Sequence, residues 1–219
     1  MARRGEVLHE HILDAAKLVF LEAGFERTSM DAVANRAATS KRSLYAHFPT
    51  KDALFLACID RSHELFEGRL QTPSHYADDP DDAVARYCGR LLQLLRYAPV
   101  VQMCRIGVTE AARLPAAAAR IYETFLGTPQ RGLAAHLAAH RGLDAGEAVE
   151  LAERLLGAIV YPALSKALFG VRSVVDTMPD EAALGSDVDL DAVQSRVAAV
   201  LGKAAPPTSD GGDRAEAGG

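Results

Sequence analysis

The sequence predicts an all-α chain built of two helical units, and three observations carry that prediction. Apolar residues recur at helical spacing along nearly the whole length, and no strand-like alternation of any length occurs. Glycine, proline and capping residues cut the first fifty positions into one longer and two short helical segments before the later helical patterns begin. With 219 residues and an apolar share of 49%, the chain can bury a substantial core.

The first helix is expected from Glu6 to Ala23, where Leu8, Ile12, Ala15, Ala16, Val19, Phe20 and Ala23 form one stripe and Gly24 stops the pattern. Thr28-Ser29-Met30-Asp31 fits a capping box, with Thr28 as the cap and Asp31 reaching back. It opens a short second helix that buries Met30, Val33 and Ala34. Residues 37–40 turn the chain, and Ser40 caps a third short helix ending at Tyr45 or Ala46. Pro49 is a helix-start signal for the fourth helix, with Thr50 as an alternative cap. That helix, residues 51–70, carries Leu54, Phe55, Cys58, Ile59, Leu65 and Phe66 inward and joins the two units.

Residues 72–82, rich in Pro, Asp and Ser, read as a loop. Four helical patterns follow at 83–97, 100–112, 116–141 and 146–170, the last with a kink expected near Ile159 because Pro162 lies inside it. The acidic stretch 176–189 reads as loop, and Leu190, Val193, Val197, Val200 and Leu201 mark a final helix. Residues 204–219, with four Gly, two Pro and no apolar period, are expected to be disordered. The organisation is therefore an N-terminal unit (1–50), a helical unit (51–203, opened by the connecting helix 51–70) and a tail (204–219).

Charge is unevenly spread. The net charge is −5, yet residues 27–51 carry Arg27, Arg36, Lys41, Arg42 and Lys51 against Asp31 alone, a local +4, and everything beyond Lys51 sums to −7. One basic face on an acidic body suits a protein that meets phosphate in a single orientation. The apolar stretch 155–165 is too short to span a bilayer, and Lys17 and Glu22 interrupt the first apolar run, so no membrane partner is expected and the cytoplasm is the default compartment. Cys58, Cys88 and Cys104 form no C-x-x-C pair and read as small core residues.

Two short helices joined by a tight turn, behind a longer helix, form a helix-turn-helix whose second short helix enters the major groove of duplex DNA. On the third helix Leu44 points inward, leaving Lys41, Arg42, Ser43 and Tyr45 outside. Arg and Lys donate to guanine, Ser reads several base edges, and a Tyr hydroxyl suits a phosphate. An acidic or neutral third helix would have pointed instead to a protein-interaction module.

Gly24-Phe25, Thr28-Ser29-Met30, Val33-Ala34, Ser40-Lys41, Leu44-Tyr45, His47-Phe48 and Lys51-Asp52-Ala53-Leu54 resemble the signature of the TetR family of repressors over about the first 55 residues. That resemblance implies a three-helix DNA-binding domain with a C-terminal helical domain for ligand binding and dimerisation. It also implies base-edge roles for Lys41, Arg42 and Ser43 beside the cap Ser40, and phosphate contacts for Thr28, Ser29, Tyr45, His47 and Lys51. The sequence departs from the family where Ala38 stands for the usual turn glycine and Arg42 for a small residue. Residues 105–125, with Glu110, Pro115 and Tyr122, further resemble the AefR-like branch.

The apolar set from Ala148 to Leu168 covers more than one face of its helix. Either it is internal to its own core or, more economically, a second subunit covers it, with the last helix completing a four-helix interface. Leu92, Leu95, Met103, Ile106, Tyr122, Phe125 and Tyr161 are the candidate pocket residues for a small apolar effector, and each also suits a core position. His136 and His140 have metal-ligand spacing but no completing Glu or Cys, and the Asp-rich run 78–82 reads as an acidic helix start, so no metal is expected. No nucleophile with its base, phosphate loop or dinucleotide fingerprint occurs; neither an enzyme nor a cofactor is expected. The expectation is a dimeric repressor on a palindromic operator, released by its effector.

Overall fold

The computed structural model describes residues 2–179 and 188–202, with side chains from Glu6 onward. Eleven α-helices appear among them: α1 Ala2–Arg27, α2 Met30–Arg36, α3 Lys41–His47, α4 Lys51–Glu67, α5 Pro80–Leu95, α6 Ala98–Glu110, α7 Pro115–Tyr122, α8 Thr128–Arg141, α9 Ala145–Ile159, α10 Tyr161–Leu168 and α11 Leu190–Val200. A 3-10 turn lies at Pro73–His75 and a π turn at Glu123–Gly127. Among the described residues no strand forms; Tyr97 and Val175 make one isolated bridge. The expected tail and most of the acidic loop fall outside the described residues.

Local signals explain the N-terminal elements. Gly24 interrupts α1 at φ 78°, ψ 167°, a conformation costly for side-chain-bearing residues, and the chain continues for one more turn that turns Phe25 inward. Ser29, Ser40 and Thr50 each accept a backbone N–H from the first turn of α2, α3 and α4 at 3.0–3.1 Å. The expected cap Thr28 is corrected. It is buried, and its hydroxyl donates to the Gly24 carbonyl at 2.8 Å, so Ser29 takes the capping position and Asp31 does not reach back. The turn after α2 places Ala38 at φ 45°.

Aromatic packing joins the N-terminal helices to the connecting helix. Phe55 of α4 lies 4.8 Å from Phe20 and 5.1 Å from Phe25, ring centre to ring centre, so the first half of α4 shares the core of α1–α3. All three cysteines are buried and free, and burial pushes each thiol up to about 12.

The C-terminal helices begin and break at their own signals. Asp79 caps α5 through the amides of Asp81 and Asp82 with Pro80 in its first turn, so the helix begins three residues before the expected Ala83. The helix expected over 116–141 is interrupted by the π turn, immediately before Pro129. A proline ring clashes with the carbonyl four residues back and offers no N–H, and a widened turn removes that conflict. The expected kink near Ile159 is present, where Val160 separates α9 from α10.

The two-faced helix is covered by its own chain: α9 packs on α8 along one side and on α11 along another, and Ala148, Ala152, Leu155, Leu156, Ile159 and Val160 are buried. Of the two expectations for this helix, burial within its own core is the one found for these residues, neighbouring helices covering both faces. No helix among the described residues is long and apolar enough to cross a membrane.

Candidate nucleic-acid interface

The exposed end of the N-terminal unit is built from the caps of α2 and α3 and the outer face of α3. Leu44 is fully buried and anchors α3 to the core, which turns Lys41, Arg42 and Tyr45 to solvent, with Ser43 and His47 at the margin. Tyr45 is 47% exposed with its ring outward, unusual enough for a large aromatic to mark a contact surface. The His47 ring packs edge-on toward His9 of α1 at 5.7 Å.

The five cations of this region have different partners. Arg27 bonds the Ala23 carbonyl, and Arg36 forms a forked pair with Glu22 at 2.9 and 3.1 Å. Lys41 meets Asp31 at 2.6 Å in an exposed pair. Lys51, half-buried, donates all three ammonium protons to carbonyls at the end of α1 and beyond: Phe25 at 2.9 Å, Glu26 at 3.2 Å and Thr28 at 3.0 Å. It also lies 4.4 Å from the centre of the Phe25 ring. Arg42 alone of the five has no hydrogen-bond or ion-pair partner among the described residues.

Three of the expected DNA contacts thus change character. Thr28 is buried with its hydroxyl turned inward, and Lys51 is fully engaged as a clamp on the α1–α2 turn, so neither presents a free donor to phosphate. Lys41 is present on the surface but held by Asp31. Ser29, Ser40, Arg42, Ser43, Tyr45 and His47 lie together on or beside the exposed face.

The expected pocket residues do not converge. Met103 and Phe125 border a crevice of about 30 Å³ against Lys17 and Phe66, and Leu92 borders a separate cavity of about 190 Å³ near α11. Leu95 and Ile106 are packed into the core, Tyr122 is half-exposed on the surface, and Tyr161 is half-buried with its hydroxyl 3.5 Å from Gln130; none of these four borders a described cavity. The largest described cavity, about 280 Å³, lies between the end of α4, α5 and α8. It is walled by residues that were not expected, Phe66, Glu67 and Leu70 on one side and Thr124, Thr128 and Pro129 on the other. Two threonines four apart, Thr124 and Thr128, beside Pro129 were the available signal.

A free basic side chain on the second helix of a helix-turn-helix, borne by an all-helical body, defines a DNA-binding regulator fold. Residues 12–58 match the family of bacterial regulatory proteins named tetR, so the N-terminal unit carries that family's DNA-binding domain. The regulator UidR of Escherichia coli is 35% identical over 81 residues, 36% of this chain and 41% of UidR, so the match spans less than half of that relative. A solved TetR-family regulator from Mesorhizobium loti shares the fold with a TM-score of 0.71 at 22% identity, over 91% of this chain and 97% of its own. The solved flavonoid-responsive regulator FrrA is similar with a TM-score of 0.68 at 26% identity, over 90% and 94% of the two chains. This relative and both solved structures are regulators.

Proposed function

We propose that this chain represses transcription by binding a palindromic operator as a homodimer in the cytoplasm, and that a small effector in its C-terminal unit releases it. The carrying observation is Arg42, exposed on α3 and free among the described residues, where a guanidinium can fork onto guanine O6 and N7. Ser43 and a Lys41 released from Asp31 complete the base-reading set. Ser29, Ser40, Tyr45 and His47 face the flanking phosphates.

Dimerisation is supported by the outward face of α9 and α10. Gly157, Ala158, Pro162 and Ser165 leave a low, exposed surface there, and Phe169 at its end is 85% exposed. Two copies joined along this face would set two α3 helices for successive major grooves, about 34–36 Å apart.

Effector release is supported by the path from the 280 Å³ cavity to α3. Phe66 on its wall packs edge-on against Phe125 at 5.1 Å, and Asp60 one and a half turns earlier pairs with Arg120 at 2.7 Å. Movement of α4 there is carried to Phe55 and Lys51, which sit in the N-terminal core. FrrA is described as responsive to a flavonoid, which favours a ligand-responsive reading here.

Selection of random duplexes by the purified protein, followed by a salt titration on the enriched sequence, tests this function. The expected result is a palindromic consensus whose binding weakens steeply with salt. No enrichment at low salt would overturn it.

A further inference from the structure

The hydrogen-bond balance of the 280 Å³ cavity specifies more than size. Its apolar walls, Phe66, Leu70 and Pro129, suit a flat hydrocarbon body. Its polar lining offers several fixed acceptors beside the hydroxyls of Thr72 and Thr128, which can also donate, Thr128 accepting from Arg131 at 3.0 Å. The Tyr87 hydroxyl proton is engaged by the Pro129 carbonyl at 2.8 Å and that of Thr124 by the Arg120 carbonyl at 2.9 Å, so both present lone pairs to the space. Gln71 donates from its amide nitrogen to the Gly68 carbonyl at 3.2 Å, leaving its side-chain carbonyl over. Glu67 adds a carboxylate at the rim, 3.3 Å from His63. No lysine or arginine borders this cavity among the described residues.

An entering molecule must satisfy these acceptors or leave them desolvated and unpaired, and a carboxylate on it would face Glu67 with no lysine or arginine in the lining to offset the repulsion. The volume lies just below the range of about 300–1,000 Å³ usual for ligand pockets and holds one or two rings. We propose that this cavity binds a flat, one- or two-ring aromatic molecule that carries hydrogen-bond donors, hydroxyl or amine, and no carboxylate. This rests on the ligand-responsive reading above and names the chemistry of its ligand.

Calorimetric titration of the full chain, without DNA, with dihydroxynaphthalene, naphthylmethylamine and naphthoate tests it. At least one of the two donor probes should bind at least tenfold more tightly than naphthoate. If the amine is the better of the two, Glu67→Gln should weaken it about tenfold; if the diol is, Thr124→Val should weaken it by several-fold. Gly132→Leu should abolish binding of either by filling the space, since a Cβ there meets the Tyr87 hydroxyl oxygen at an ordinary 3.5 Å. Should that variant fail to fold, the other two carry the test. Naphthoate binding as tightly as both donors, no binding by any probe, or an unaffected folded Gly132→Leu would overturn the proposal. Retention on the selected duplex is read separately: a donor probe that binds without releasing DNA supports the cavity chemistry and sinks effector release alone.

Discussion

Asp31 of α2 holds Lys41 of α3 at 2.6 Å, so a residue in the first turn of one helix neutralises the first basic residue of the recognition helix. Both side chains are more than half exposed, at 57% and 65%, and the pair therefore adds at most about 1 kcal/mol to stability. Its larger effect is on the charge that the face shows to DNA. Asp31→Asn should leave the melting temperature nearly unchanged, tighten binding to all duplexes, and steepen the salt dependence by about one released counterion. An unchanged salt slope would mean that Asp31 surrenders Lys41 to DNA without cost.

Arg42 is the residue expected to confer sequence choice. Arg42→Ala should weaken operator binding by about 1–3 kcal/mol and relax the preference at one base pair. Repeating the duplex selection with the variant checks this; the same consensus at lower affinity would reassign Arg42 to phosphate.

Lys51 is expected to act through architecture. Its three bonds to the carbonyls of Phe25, Glu26 and Thr28 fix the turn that carries Ser29. Lys51→Met should lower stability in urea by about 1–3 kcal/mol, in keeping with hydrogen bonds from a charged donor. Its operator complex should keep the parental salt slope. A slope reduced by about one would show that the ammonium leaves the carbonyls for a phosphate.

The N-terminal unit was legible because its signals are local. Gly24, Ser40 and Thr50 each act within four residues of their own position, and Leu44 needed only helical spacing to be placed inward. The clamp made by Lys51 was not legible because the carbonyls it meets lie more than twenty residues earlier in sequence and are gathered only by the turn after Gly24. The cavity was illegible for the same reason. Tyr87 of α5 bonds Pro129 of α8, and Thr124 in the widened turn and Thr128 just after it border the space, whereas Leu95 and Ile106, on other helices, do not. Spacing along one helix can say which face is apolar, but not whether packing closes over it.

Ala38 carries positive φ without being glycine, at 45°. Side-chain-bearing residues are disfavoured there by about 1–2 kcal/mol, whereas glycine adopts it freely at the expense of a more flexible unfolded chain. Ala38→Gly should therefore raise the unfolding free energy by about 0.5–1 kcal/mol without altering the operator consensus. Loss of stability in that variant would show that the turn is held without strain.

His136 ties three elements together and should make stability depend on pH. Its Nε2 lies 3.2 Å from the Pro80 carbonyl, which can only accept, so Nε2 carries the proton and Nδ1 accepts from the Ser74 hydroxyl at 3.1 Å. Burial pulls its pKa below the ordinary 6.5, the His140 ring 4.4 Å away pulls the same way, and the Pro80 carbonyl and Asp81 oppose them. Because the folded value lies below the unfolded one, the unfolded chain binds the proton first. The contribution is whole above about 6.5 and is lost as pH falls through the folded value. Protonation would reverse the second bond, Nδ1–H then donating to the Ser74 hydroxyl oxygen. Urea unfolding should show stability falling as pH drops below about 6.5, and His136→Gln should flatten that fall. An equal slope in the variant would assign the pH dependence to another group.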